Sequence, residues 1–333
     1  MRIETVKIET VNGLTIGLVD ADEAERGDWE RHRAELDLVR VVGPPPESWP
    51  RLRAAGFAVH PAWITWMASV AASEEEFLSR LSVQERRNVR LGLRYAAGRD
   101  VRMDVADPVD DLVFDDFLKL YEPHIGGMRH GVPYASMERE EILGMREDYF
   151  AVQAFEDGAL VGCCMCRKRA DASTVVIRFV TTTQDSRQHR IVRAMYMRVF
   201  AKAREMGYRS VSLGTDPALY GHIAKPGLFR FKSRLGFTPI PARLFGTMDD
   251  PDEATRVLRL DTLTEPSLLI SYAPVLEALA PDAGSEGITF DTPLRLDVLT
   301  GEDTGDPEGD LGPYRAPFLT GLGVVRIGSA SQP

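Results

Sequence analysis

The chain has 333 residues, of which 44% are hydrophobic, and it carries a net charge of −10. That composition is sufficient for a buried core and excludes a disordered or fibrous protein. There is no apolar run of about 18 residues, and acids stand where a signal peptide needs an apolar core, so a cytoplasmic protein without a membrane span is expected. The cysteines at 163, 164 and 166 share one strand-like run, so neither a disulfide framework nor a metal site is expected.

Charge is distributed unevenly along the chain. Residues 248–310 contain sixteen Asp or Glu and three Arg, a net charge of −13, which leaves the rest of the chain at +3. Acids are few or absent in three basic stretches, 80–102, 187–204 and 225–243. This asymmetry predicts a basic working surface beside an acidic region.

The first hundred residues, 1–100, are expected to form an N-terminal domain. Alternating patterns predict strands within residues 6–20 and 57–69. Ser73 and Ser82 are each followed three residues later by Glu, which predicts N-caps for two consecutive helices. The second helix repeats arginine at four-residue spacing on one face and apolar residues on another. One side is therefore expected to pack, and the other to present guanidinium groups.

Residues 101–248 alternate between strand and helix signals and are expected to form the main domain. The Asp157-Gly158 dipeptide predicts a hairpin between two successive strands. A long helix is predicted over 187–206, ending before Gly207. A strand, a loop, a short helix and a last strand complete an α+β layer with a largely antiparallel sheet.

The remaining residues, 249–333, are acidic, rich in Gly and Pro and weakly patterned. They are expected to form an acidic C-terminal extension with a helix near Tyr272–Leu279 and two short strands later. The sequence thus predicts three consecutive segments.

The order of elements in residues 101–247 resembles the GNAT acyltransferase fold, with Gly236-Phe237 where that family has its GF pair before the last strand. The helix segment Leu81–Arg90 and the pair Phe231-Lys232 are similar to the FemABX-like branch, the Fem peptidyltransferases. Members of that branch have two GNAT-like halves, of which the first is degenerate. The resemblance therefore implies an α+β, GNAT-like fold: a mixed, mostly antiparallel sheet flanked by helices, a degenerate first half within residues 1–100 and an acidic C-terminal appendage.

Two positions depart from the CoA-using members of this fold. In those members, glycines in a Q/R-x-x-G-x-G/A loop let backbone N–H groups approach a pyrophosphate at a helix N-terminus. The corresponding stretch here, residues 187–192, has side chains at both glycine positions, which obstructs that approach. Lys232 stands where many acetyltransferases of the fold have a tyrosine proposed to protonate the leaving thiolate. Both departures resemble the FemABX-like branch, whose donor is aminoacyl-tRNA rather than acyl-CoA.

Aminolysis of an aminoacyl ester needs a neutral amine, a proton acceptor and stabilisation of the oxyanion and of the leaving ribose oxygen. Lys232 supplies a compact positive charge for that stabilisation. Tyr220 and His222 lie in the loop after the strand RSVSLG, where either could relay a proton, and Asp216 is the nearest carboxylate. The plain alternatives are a solvated Lys232 and a structural or exposed His222.

Basic side chains are the candidates for binding the phosphates of the donor. They are Arg86, Arg90, Arg94, Arg187, Arg190, Arg193, Lys225 and Arg230. For the first three, the plain alternative is a solvated helix face. The loop 121–134 combines histidines and glycines, and it holds the candidates for binding the acceptor, Arg129, His130 and Tyr134. An ordinary connection is the alternative for this loop.

The leading hypothesis is an amide-forming acyltransferase that moves an aminoacyl group from aminoacyl-tRNA to an amine of a peptide or small molecule. No bound cofactor is expected in that case. The first alternative is an acyl-CoA-dependent N-acyltransferase that holds the CoA pyrophosphate with Arg187 and Arg190. The second alternative is a noncatalytic RNA-binding protein built on a transferase fold.

Overall fold

The computed structural model describes residues 6–128, 130–274, 289–302 and 311–328. Its strands are β1 (Lys7–Val11), β2 (Leu14–Leu18), β3 (Leu38–Val42), β4 (Ala58–His60), β5 (Trp63–Ser69), β6 (Arg102–Ala106), β7 (Tyr149–Glu156), β8 (Ala159–Arg169), β9 (Thr174–Thr182), β10 (Ser210–Pro217), β11 (Leu219–Tyr220), β12 (Thr238–Pro241), β13 (Glu253–Val257), β14 (Ser267–Tyr272), β15 (Leu294–Gly301) and β16 (Leu319–Ile327). Its α-helices are α1 (Ala21–Arg26), α2 (Trp49–Ala54), α3 (Glu74–Ser79), α4 (Val83–Gly98), α5 (Asp111–Gly126), α6 (Tyr134–Met137), α7 (Arg139–Gly144), α8 (Gln184–Gln188), α9 (Ile191–Glu205) and α10 (Pro226–Arg234). Helices combine with mostly antiparallel strand pairs, which confirms the predicted fold class.

The chain divides into two units, each assembled from separate stretches. The first unit comprises residues 1–65, 215–233 and 239–333, and the second comprises residues 66–214 and 234–238. These boundaries cut across the three consecutive segments expected from the sequence, because distant stretches pair in the same sheets.

The sheets of the first unit contain strands from both ends of the chain. One sheet has the order β1-β2-β3-β13-β4, and the other has the order β11-β14-β15-β16. β13 is antiparallel to both of its neighbours, with Ala254 opposite Val41 on β3 and Val59 on β4. Leu38 and Leu269 belong to one buried core cluster. The described strands of the acidic region are therefore part of the sheets of this unit and do not form a separate appendage.

The C-terminal region has more regular structure than its composition predicts. Four strands, β13 to β16, occupy it where two short strands were expected. Tyr272 is the last residue of β14 instead of the start of a helix, and residues 275–279 of that expected helix lie outside the described residues. All six residues of β14 are buried, which explains why its sequence lacks the alternating pattern of a half-buried strand.

In the second unit, helices pack against a sheet. The strands of this unit follow the order β5-β10-β9-β8-β7-β6 in that sheet. α9 packs against β7, β8 and β9, and α5 packs against β8 and β9. Successive side chains of β8 point to opposite faces of the sheet and so pack against different helices. Cys163 belongs to the cluster that includes Phe117 of α5, while Cys164 lies near Tyr196 of α9. The three cysteines are free and buried, and burial raises the pKa of the Cys163 thiol. They are packing residues of the sheet.

Several local predictions are confirmed, and one needs correction. Ser73 and Ser82 cap α3 and α4 by accepting hydrogen bonds from the backbone N–H groups of Glu76 and Glu85. The Asp157-Gly158 turn joins β7 to β8, and both residues have positive φ, as a type I′ turn requires. The long helix, however, begins at Ile191 rather than at residue 187. Residues 184–188 form the separate helix α8, and Arg190 adopts the left-handed conformation between the two helices.

His60 makes the stability of the first unit sensitive to pH. Its side chain is 3% exposed, with Nδ1 2.8 Å from the carbonyl oxygen of Pro61 and Nε2 2.9 Å from Thr255 Oγ1. Burial, with a smaller contribution from Arg40, lowers the pKa of His60 from 6.5 to about 4. The neutral ring is therefore the form that the folded state retains.

We expect His60 to cost the protein about 3 kcal/mol of unfolding free energy between pH 7 and pH 4, since each pKa unit corresponds to about 1.4 kcal/mol. Below pH 6.5 the unfolded chain gains a proton that the folded chain does not, so stability falls across that window and levels off below pH 4. Urea unfolding of the wild type and of His60→Gln at both pH values isolates this contribution. Equal losses in the two proteins would contradict it.

Candidate functional site

A buried group of polar side chains connects Asp216, near the end of β10, with α10. Its members belong to the first unit, which resumes at residue 215. Lys232 Nζ donates to both carboxylate oxygens of Asp216 at 2.8 Å, and Tyr220 Oη donates to Asp216 Oδ2 at 2.8 Å. Lys232 is 5% exposed, Asp216 is 7% exposed and Tyr220 is fully buried. Three of the four side chains predicted to be catalytic are thus brought into direct contact.

Burial sets the electrostatics of this cluster. Desolvation lowers the pKa of Lys232, and the neighbouring Asp216 carboxylate offsets part of that shift. A buried ammonium group with a lowered pKa is a stronger proton donor than a solvated lysine, while its charge still favours a developing oxyanion. Lys232 is therefore not the solvated helix residue of the plain alternative.

The loop between β10 and α10 holds this arrangement through close backbone contacts. Gly221 has φ of +132°, and a Cβ there would lie 1.9 Å from Ser267 Oγ, so only glycine fits. The ring of Phe229 on α10 meets the ring of Tyr220 edge to face, with centroids 5.9 Å apart. Tyr220 is consequently fixed by its ring as well as by its hydroxyl group.

His222, the fourth predicted catalytic residue, has a structural contact. Its Nε2 lies 3.0 Å from the backbone carbonyl oxygen of Asn12, in the turn between β1 and β2, and the residue is 8% exposed. Because a carbonyl oxygen only accepts hydrogen bonds, Nε2 carries the proton in this contact. This geometry suits the structural reading of His222.

The arginine row predicted on the second helix forms one wall of an open groove along α4. The groove has a volume of about 600 Å³, and its lining is Val83, Arg86, Arg87, Arg90, Leu93 and Arg94. Arg86 is partly engaged, since its guanidinium group donates to the carbonyl oxygens of Ser79 and Leu81 at the end of α3. Arg90 and Arg94 are exposed, as is Arg87, which the sequence did not single out. The groove offers phosphate groups several guanidinium partners along one helix.

α4 lies directly on the N-terminal end of α9. A Cβ on Gly92 would be 2.6 Å from the carbonyl oxygen of Arg190 and 3.7 Å from the backbone nitrogen of Ala194. Arg193 forms an ion pair with Glu85, whose side chain is 1% exposed. The Tyr95 and His189 rings stack, with centroids 4.3 Å apart. One side of the first turn of α9 thus packs against a helix of the same unit, while residues 187–190 before it are exposed.

The remaining donor-binding candidates have varied surroundings. Arg187 donates to a ring nitrogen of His124 at 2.9 Å, and Arg190 is exposed at the left-handed position before α9. Lys225 is exposed, whereas Arg230 is half-buried and its guanidinium group lies 6.0 Å from the centroid of the Tyr314 ring. Within the predicted set, Arg193 differs because it forms an ion pair with the buried carboxylate of Glu85.

The candidates for the acceptor lie around the end of α5. Arg129 lies outside the described residues. His130 is half-buried, and Tyr134 begins α6 with 53% of its surface exposed. Their roles in binding stay predictions.

Sequence reasoning missed Glu85 and Gly92 as determinants of this region. Gly92 carried a usable signal, since a glycine inside a helical pattern costs stability and often marks a close backbone approach. The sequence pattern identifies Glu85 only as part of the cap of α4. Its carboxylate also accepts from Asn88 Nδ2 at 2.9 Å, which helps to fix it toward Arg193.

Two classes of feature are not found in the described parts of the chain. Their helices include none that is both long and apolar enough to cross a membrane. Within the same residues, His, Cys, Asp and Glu side chains do not form a group of three or more suited to a metal ion.

Comparison with known proteins gives distant structural likenesses and a family match. No curated protein matches the chain. The crystal structure of FemX is 13% identical, covers 75% of this chain and 83% of its own chain, and has a TM-score of 0.44. The C-terminal domain of a putative lysylphosphatidylglycerol synthetase from Agrobacterium fabrum is also 13% identical, with coverage of 75% and 80% and a TM-score of 0.42. Residues 114–223, close to a third of the chain, match the model of the Acetyltransferase (GNAT) family, so the chain contains a GNAT-family domain, as the resemblance implied.

Proposed function

We propose that the protein is a GNAT-fold acyltransferase that forms an amide by moving an aminoacyl group from aminoacyl-tRNA to a primary amine. The observation that carries the proposal is the packing of α4 against the N-terminal end of α9. By resemblance, this is where CoA-using members hold the pyrophosphate of their donor with backbone N–H groups. A donor without that pyrophosphate has no need of the site.

Two contacts and the conformation of Arg190 would oppose a diphosphate at this end of α9. The backbone of α4 at Gly92 touches the carbonyl oxygen of Arg190, which leaves little depth for a ligand. The ion pair with Glu85 engages the guanidinium group of Arg193, which a diphosphate at this helix end would otherwise use. Arg190 adopts a conformation that L-residues rarely take, and its carbonyl oxygen is directed at α4. Coenzyme binding would therefore require α4 to move.

The exposed arginines of α4 support RNA as the carrier. Arg87, Arg90 and Arg94 lie along one groove, and nucleic-acid affinity is dominated by cations that neutralise successive phosphates. Arg193 is left out of this proposed surface because Glu85 holds it. Arg187, Arg190, Lys225 and Arg230 remain candidate contacts.

Lys232, Asp216 and Tyr220 are the proposed catalytic group. The amine nitrogen attacks the ester carbonyl carbon, the bond from that carbon to the ribose oxygen breaks, and the ribose oxygen leaves with a proton. Lys232 would stabilise the oxyanion and donate that proton, aided by its lowered pKa, and the proton that the attacking nitrogen releases would restore the Lys232 ammonium group. Asp216 would hold Lys232 in place, and Tyr220 would orient Asp216 through its hydrogen bond. These roles require charge and orientation more than strong nucleophilicity.

Two observations favour the acyl-CoA alternative. The matched family is described as acetyltransferases, and Arg187 and Arg190 provide basic side chains beside α9. A direct comparison of donors separates it from the proposal.

The decisive assay offers labelled acetyl-CoA or bulk labelled aminoacyl-tRNA to the protein, with a panel of peptide and small-molecule primary amines as acceptors. We expect a labelled amide from aminoacyl-tRNA alone and its loss after RNase treatment. Product from acetyl-CoA without RNA would establish the CoA alternative. Binding of tRNA without product from either donor, across the panel, would favour a noncatalytic RNA-binding protein.

Salt dependence tests the groove itself. Arg90→Gln and Arg94→Gln should each weaken binding of charged tRNA and reduce the slope of log affinity against log salt by about 0.7 to 0.9, because each removes one phosphate contact. Arg102→Gln is the matched control, since Arg102 is exposed in the same unit but pairs with Asp104 outside the groove. Unchanged slopes in both groove variants would rule out this surface.

A further inference from the structure

The first unit contains a cavity whose lining does not include Lys232, Asp216 or Tyr220. It has a volume of about 470 Å³, within the range of small-molecule sites, and its walls come from β4, β13, β14, β15 and β16. We infer that this cavity binds an organic anion, a phosphate or carboxylate group attached to a short apolar moiety. The inference does not depend on the proposed transferase activity.

The charge of the lining identifies the ligand as an anion. The arginines of the cavity are Arg33, Arg53, Arg256, Arg295 and Arg326. Asp297 is the only carboxylate among the described lining residues. Arg33 also pairs with Glu30 at 3.0 Å, so the lining arginines, with Asp297 and Glu30 counted against them, keep an excess of three positive charges in a chain whose net charge is −10. Guanidinium groups converging on one cavity are the arrangement that recognises phosphate and carboxylate oxygens.

Two of these guanidinium groups share one aromatic ring. The Arg256 and Arg33 guanidinium carbons lie 5.0 Å and 5.8 Å from the centroid of Trp29. Arg256 also donates to the carbonyl oxygen of Ala55 at 2.8 Å. Cation–π contact and this hydrogen bond hold the Arg256 charge in place before any ligand arrives.

Two of the lining arginines interact with the carboxylate of Asp297. Arg295 Nε donates to Asp297 Oδ1 at 3.1 Å, and the charge of Arg53 also acts on this carboxylate. Two arginines therefore share a single internal anion, which leaves their combined charge positive. A ligand oxygen would compete with Asp297 for the same guanidinium groups. Removing the negative charge of Asp297 should therefore strengthen binding of the anion, which can be tested.

Apolar side chains complete the walls and define the rest of the ligand. Phe57, Leu258, Leu269 and Leu299 line the cavity beside the arginines. Inorganic phosphate could use only the charged part of this surface. A short alkyl chain on the anion would also remove apolar area from water, which adds affinity at about 25 cal/mol per Å².

The test uses isothermal titration of the full chain with octyl phosphate, octanoate, inorganic phosphate and the neutral octyl glucoside, each below its aggregation concentration. We expect one site that prefers octyl phosphate or octanoate to both inorganic phosphate and octyl glucoside. The order of octyl phosphate and octanoate distinguishes a phosphate ligand from a carboxylate ligand. Equal binding of octyl glucoside, or no binding of either alkyl anion, would overturn the inference.

Variants of opposite expected sign separate recognition from unfolding. Arg53→Gln should weaken the preferred anion at least tenfold, as the loss of a charge-assisted contact implies. Asp297→Asn should strengthen it, because the competing carboxylate is removed. Arg51→Gln, on the same helix α2 but outside the lining, should leave affinity unchanged. Thermal unfolding without ligand checks each fold, and weakening by both Arg53→Gln and Asp297→Asn in folded proteins would contradict the inference.

Discussion

Replacing Lys232 with methionine is expected to lower the rate of amide formation by about 100- to 1,000-fold, the usual loss when a group that stabilises a developing oxyanion is removed. The substitution keeps the length of the side chain but deletes the ammonium group that Asp216 holds at 2.8 Å. Initial rates with labelled aminoacyl-tRNA measure the effect. Binding of charged tRNA should change little if Lys232 acts on the reaction.

A buried charge pair needs a stability control. Deleting Lys232 leaves Asp216 buried without its cation, and such a deletion costs about 3 to 5 kcal/mol. The double variant Lys232→Met, Asp216→Asn removes both charges and should recover much of the melting temperature without recovering the rate. Arg234→Met, an exposed change at the end of the same helix, should alter neither quantity.

The outcome that contradicts a catalytic Lys232 is equally specific. If the folded double variant formed amide at the rate of the wild type, the cluster would be a structural ion pair. Substituting Lys232 with arginine refines the result, since arginine keeps the charge but is a far weaker proton donor. A low rate in that variant would point to proton donation rather than charge alone.

Local chemistry explains which features the sequence predicts. The Ser73 and Ser82 caps and the Asp157-Gly158 turn each depend on residues within three or four positions of one another, so their signals are contiguous. The Lys232 cluster was predicted through the resemblance, which aligned a strand end, a loop and a helix in one motif. Contact between Asp216 and Lys232 then follows from the fold of that motif.

Long-range pairing explains what the sequence could not predict. β13 lies between β3 and β4, although about two hundred residues separate it from them, and no local pattern encodes that partner choice. The left-handed conformation of Arg190 is equally hard to predict, because arginine has no preference for it. Charge alone makes Arg193 a candidate for donor binding, and the sequence does not show that Arg193 pairs with the buried carboxylate of Glu85.

Replacing Arg193 with methionine is expected to cost about 3 to 5 kcal/mol of unfolding free energy, because it leaves the carboxylate of Glu85 buried without its partner. Glu85 lies on α4 and is 1% exposed, while Arg193 lies in the first turn of α9 and has 17% of its side chain exposed. The pair joins the same helix ends whose contact argues against a bound diphosphate. Urea unfolding at neutral pH measures the cost.

α9 supplies its own control for this experiment. Arg198 pairs with Glu205 on the same helix, but the two side chains are 33% and 55% exposed, so Arg198→Met should cost less than about 1 kcal/mol. The double variant Glu85→Gln, Arg193→Met removes the stranded charge and should regain most of the loss, since glutamine can still accept from Asn88. If Arg193→Met lost as little unfolding free energy as Arg198→Met, the carboxylate of Glu85 would have to be hydrated once Arg193 is removed. In that case the end of α9 would be open enough for an anion, and the case against coenzyme A would lose its physical basis.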